Sequence, residues 1–109
     1  MDPASEFARI QAHYPNAELL EAGGQHFVYL PNLAIATPQG VVTRNALLCP
    51  YEHTGYRTRL FLSEAVPSKV SNWTSHPLFT RSWVTWSWQH VEANQPWTTI
   101  LANHLAALR

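Results

Sequence analysis

The sequence predicts an α+β domain in which an antiparallel sheet carries helical segments on one side or end. Three observations lead there. β-forming segments punctuated by turn residues fill the first half, an amphipathic helical pattern closes the chain, and the β-α alternation that specifies a parallel sheet is missing. With 109 residues, 46% of them hydrophobic, the chain can bury one core but not two, so a single domain is expected.

Taken in order, Phe7, Ile10 and Tyr14 fall at helical spacing behind Ser5, which reads as the N-cap, and Tyr14-Pro15-Asn16 ends that short helix. The opening Met1 to Phe7 lacks a basic and an apolar region and reads as a cloning-derived tail rather than a signal. From Ala17 an apolar run to Ala22, the pair Gly23-Gly24 and the segment Gln25 to Leu30 make a hairpin. Asn32 to Thr37 and Val41 to Leu48 flank Pro38-Gln39-Gly40, whose Pro and Gly supply the φ angles a turn needs. Pro50 to Tyr56 reads as a loop, Thr58 to Leu62 as a strand, and Glu64 to Pro77 as irregular chain. The count is about four strands in a meander. Thr98 to Arg109 places Ile100, Leu101, Leu105 and Leu108 on one helical face that packs on the sheet.

Seven acidic residues balance seven basic ones, so no field gathers nucleic acid or an anionic membrane, and neither is expected as a partner. No apolar run approaches the ~20 residues that cross a bilayer. The lone Cys49 excludes an intramolecular disulfide and paired-cysteine zinc spacing, which points to a reducing, cytoplasmic setting. His53, His76, His90 and Cys49 lack the i, i+3 or i, i+4 pairing of catalytic zinc motifs, so neither metal nor another cofactor is expected.

All five tryptophans, Trp73, Trp83, Trp86, Trp88 and Trp97, lie in the last third. Trp83, Trp86 and Trp88 do not share one face on either a helix or a strand, so at least one of them is expected to meet solvent or a partner. Trp97 reads as core.

His76-Pro77 precedes this aromatic block, which ends in Pro96-Trp97 and the amphipathic helix. That order resembles the ubiquitin-conjugating-enzyme (UBC) fold, where a meander sheet is followed by a His-Pro-Asn motif, a nucleophilic cysteine, and a Trp leading into a helix. The nearest likeness is to divergent prokaryotic UBC-like proteins of bacterial ubiquitin-like modification operons, with their Trp-x-x-Trp-Ser-x-x-His signature, here Trp83 to His90. The resemblance covers roughly residues 16–109, within a single domain of residues 8–109.

What the resemblance implies is a transferase-like protein that carries or relays the C-terminus of a ubiquitin-like protein received from an adenylating enzyme. Two positions depart from the family. Leu78 stands where the Asn would be, and no cysteine follows. The nucleophile's place falls on Ser87, which makes the carried species an oxyester, with His90 as the base that a hydroxyl requires. On a helical turn Ser87 and His90 would share a face. Behind this pair stand Cys49, which follows Ala46-Leu47-Leu48 and reads as a small buried hydrophobe, and His76, which reads as a turn-ordering residue. Two other functions fit the same residues: an inactive UBC-like scaffold that binds through Trp83, Trp86 or Trp88, and a module that takes a peptide or an apolar ligand on its aromatic stretch.

Overall fold

The computed structural model describes residues 2–109. It is an α+β arrangement of a six-stranded, fully antiparallel sheet and two helices, which adds two strands to the expected meander.

Helix α1 (Pro3–His13) begins inside the segment read as a tail. Its N-cap is Asp2 rather than Ser5, because the Asp2 carboxylate accepts from the Ser5 N–H at 3.2 Å and Pro3 opens the first turn. The helix ends where Tyr14 meets Pro15, and Ile10 is its fully buried anchor. Glu6 is buried as well. Its Oε1 accepts the backbone N–H of Trp97 at 2.9 Å, and its Oε2 lies 3.3 Å from Arg9.

Strands β1 (Glu18–Ala22) and β2 (Gln25–Thr37) form the expected hairpin, with Gly23 and Gly24 both at positive φ in its two-residue turn. β2 then pairs along its length with β3 (Gly40–Cys49). Between Leu30 and Leu33 the register shifts, with Asn32 at φ 54°. This bulge changes the parity of the strand. Val28 and Leu30 before it and Leu33 and Ile35 after it therefore all join one core.

β3 pairs with β4 (Arg59–Leu62) through four residues, and β4 meets β6 (Arg81–Thr85) through a single ladder pair, Leu62 and Val84. β5 (Thr74–Leu78) pairs with β6 and forms one edge of the sheet, while β1 forms the other. The sequence reads 74–77 as irregular and His76 as part of a turn. Both lie in β5, where Pro77, lacking an N–H, is tolerated because the strand is an edge. Helix α2 (Trp97–Ala106) closes the chain.

The two helices cover one sheet face, where Ile10, Trp97, Ile100, Leu101 and Leu108 pack on Leu48, Leu60, Leu62 and Trp86. The other face is interior too: Phe27, Leu47, Cys49, Phe61 and Trp83 form a second buried cluster. Curvature closes it. β2 and β6 are three strand spacings apart, roughly 14 Å in a flat sheet, yet the rings of Tyr29 and Trp83 lie 6.3 Å apart and those of Phe27 and Phe79 5.4 Å apart. Burial on both faces explains the unbroken apolar runs Ala46 to Cys49 and Leu60 to Leu62. Among the described residues, no helix is long and apolar enough to cross a membrane.

Candidate functional site

β6 ends at Thr85, whose hydroxyl donates to the Leu60 carbonyl at 2.8 Å. Trp83 and Trp86 are both buried, on opposite faces of the sheet, because each face has its own core. Trp83 donates its indole N–H to the Leu78 carbonyl at 3.0 Å, and Trp86 packs against Trp73 with ring centroids 5.3 Å apart. Two faces of the strand were thus available to tryptophan without exposing either residue.

Past Trp86 the chain leaves the sheet and returns to the core at Val91. Val91 is fixed by its carbonyl, which accepts from the Thr58 hydroxyl at 2.8 Å, and its neighbour Glu92 pairs with Arg57 at 2.8 Å. Residues 87–90 span these two anchors in an irregular, solvent-facing segment. Trp88 is 41% exposed and, with Val41, one of two large hydrophobic residues that are exposed among those described.

Clefts open on either side of Trp88. One, of about 510 Å³, runs past Ser87, Lys69 and Ala107, and the other, of about 480 Å³, runs past His90, Asn103 and Ala106. Residues 87–90 form neither a helical turn nor a strand, and His90 sits at φ 73°. Ser87 and His90 share no hydrogen bond among the described residues and open onto different clefts.

The concave face gathers a second set of reactive side chains near the start of β4. Cys49 and Arg59 are cross-strand partners, and the Cys49 thiol donates to the Tyr51 carbonyl at 3.4 Å. Burial pushes this thiol up to about 11, so it stays protonated and is a poor nucleophile. His53 lies edge-on to Phe61 at 5.2 Å and to His76 at 5.4 Å, and His76 Nε2 is 2.9 Å from the Thr74 hydroxyl. Burial holds both imidazoles below their ordinary value, and the nearby Arg59 charge adds to it. Arg59 is only 4% exposed, with its guanidinium 3.9 Å from the Tyr56 ring centroid and Nη1 donating to the Thr54 hydroxyl. It has no carboxylate partner among the described residues.

The fold therefore brings His53 and His76 together, 23 positions apart in sequence, while the Cys49 thiol bonds to Tyr51 and His90 lies in the segment beside Trp88. Among the described residues, no three His, Cys, Asp or Glu side chains are placed to hold a metal ion. Sequence reasoning missed Arg59, whose signal was a charge inside the β-forming segment 58–62, and His104, which sits on the apolar stripe of α2 between Ile100 and Leu108. Comparison with known proteins finds no matching family model, no matching curated protein and no matching solved structure.

Proposed function

We propose that this chain is a binding module, a UBC-like relative that docks a partner of a ubiquitin-like modification pathway through Trp88 and performs no acyl transfer of its own. The observation that carries the reading is Trp88, exposed between two clefts while Trp83, Trp86 and Trp97 are buried. An indole that gives up its shelter from water in the free protein is the kind of anchor that dominates interface energies. The UBC likeness draws support from element order: a helix, a consecutive meander of β1 to β4, then Trp97 leading into α2. The non-catalytic reading is supported by Leu78 in place of the Asn, by a protonated Cys49, and by the separation of Ser87 from His90 across Trp88.

The test uses the purified chain with the ubiquitin-like protein and adenylating enzyme that this reading expects among its neighbouring genes. Trp88→Ala should weaken binding by about 2 kcal/mol, roughly thirty-fold in Kd, while Ser87→Ala should bind as the parent does. Equal binding by Trp88→Ala and the parent would sink the reading. A second reading, Ser87 as an oxyester carrier, draws on its exposure at the rim of the 510 Å³ cleft. It requires a conjugate that survives thiol reductant and is lost in Ser87→Ala.

A further inference from the structure

On the far side of the sheet from Trp88, the curl that brings β1 and β2 toward β6 leaves a cleft of about 230 Å³ lined by Glu18, Leu20, Tyr29, Phe79, Arg81 and Trp83. This is smaller than the ~300–1,000 Å³ usual for drug-sized ligands, and suits one side chain with a small polar head. Tyr29 and Trp83 meet edge to face at its floor. Leu20 closes one side.

Phe79 closes the other, from the two-residue turn between β5 and β6. Phe79 and Thr80 both have positive φ, 50° and 62°, in a turn type that ordinarily takes Gly or Asn. A β-branched residue in that region is strained, and such strain persists only where the surroundings enforce it. Here the Phe79 ring is held against Phe27. The wall is thus pinned in place before any ligand arrives.

The rim carries one charge of each sign. Glu18 stands opposite Tyr29 across the β1–β2 ladder, and Arg81 opens β6 just past the turn. Among the described residues neither forms an ion pair, with each other or elsewhere. A lone cation would gain from Glu18 and the aromatic faces but meet repulsion from Arg81. A lone anion would meet the reverse. A ligand that carries both charges satisfies both groups, with its apolar part against Tyr29, Phe79 and Trp83.

We infer that this cleft binds a small zwitterion: a free α-amino acid with an aromatic side chain, its ammonium toward Glu18 and its carboxylate toward Arg81. The inference is independent of the role given to Trp88, since the two sites lie on opposite sides of the sheet.

NMR titration tests it through the Trp83 indole N–H, assigned by its loss in Trp83→Phe. L-phenylalanine should displace that resonance in a saturable way. L-phenylalanine amide, which lacks the carboxylate, and N-acetyl-L-phenylalanine, which lacks the ammonium, should each bind about ten-fold more weakly. Glu18→Gln should bring L-phenylalanine down to the level of the N-acetyl compound, and Arg81→Gln down to the level of the amide. Both positions are exposed, so these variants should fold as the parent does. Equal affinity for all three ligands would make the cleft merely apolar and overturn the inference. So would undiminished binding of the N-acetyl compound, which would point to a peptide C-terminus, or an unmoved Trp83 resonance near the solubility limit of L-phenylalanine.

Discussion

Acid should destabilise this protein through one core residue, His104. The side chain is 2% exposed on α2, and its Nε2 lies 2.8 Å from the Thr58 hydroxyl oxygen. That hydroxyl has one proton, and the Val91 carbonyl 2.8 Å away can only accept, so Thr58 donates to Val91 and His104 Nε2–H donates to Thr58. Nδ1 is left buried without a partner. Protonation would place an N–H there with no acceptor, beside the Trp86 ring at 6.1 Å. Burial first, and the Arg59 charge second, therefore hold the His104 pKa down, from 6.5 to about 4. At ~1.4 kcal/mol per pKa unit the displacement corresponds to about 3 kcal/mol.

The unfolded chain takes up this proton near pH 6.5 and the folded chain only near pH 4. The contribution is therefore complete above about pH 6.5, declines as pH falls through that window, and is gone below about pH 4. Against a total stability of ~5–15 kcal/mol for a domain, this is a large share. Urea unfolding of the parent and of His104→Leu between about pH 7.5 and pH 4 isolates the effect, because His53 and His76, also held low by partial burial, titrate in both proteins. The parent should lose about 3 kcal/mol more than His104→Leu across the window. Equal losses, or a His104 imidazole titrating near its ordinary value by NMR, would refute the reasoning.

Glu6→Ala removes the acceptor for the buried Trp97 N–H, and chemical unfolding should show a loss of about 1–3 kcal/mol, since an unsatisfied buried donor is costly. Thr80→Gly relieves backbone strain at the β5–β6 turn and should raise the unfolding midpoint by about 1 kcal/mol equivalent. Cys49 should react with a thiol reagent at mildly alkaline pH only after denaturant is added, as its buried thiol is held to about 11. Prompt reaction in the native protein would contradict that placement.

Local signals carried much of the fold. Gly23-Gly24 and Pro38-Gln39-Gly40 marked two turns because positive φ and a preset φ are properties of single residues, and the stripe of Ile100, Leu101 and Leu108 marked α2 because helical period is local. β5 was illegible for the opposite reason. Ser75, His76 and Pro77 have little intrinsic strand preference, and their pairing with β6 overrides it. The carboxylate that meets the first turn of α2 comes from Glu6, 91 positions earlier, a distance that leaves no trace in spacing. The aromatic block told that a tryptophan should be exposed, but which one depended on the chain leaving the sheet after Thr85. The concave cleft depended on curvature, which no residue pattern here announces.

The β5–β6 hairpin meets β4 through one ladder pair, Leu62 and Val84, with the Thr85 hydroxyl bonded to Leu60 beside it, and this bears on assembly of the fold. β1 to β4 follow one another through ladders between sequence neighbours, so their loop-closure cost is small and they can form early. The hairpin closes on itself through its own two-residue turn, so its internal pairing is local in sequence. The cleft beneath Phe79 takes Glu18, Leu20 and Tyr29 from the meander and Phe79, Arg81 and Trp83 from the hairpin, so it exists only where these two locally paired units are joined.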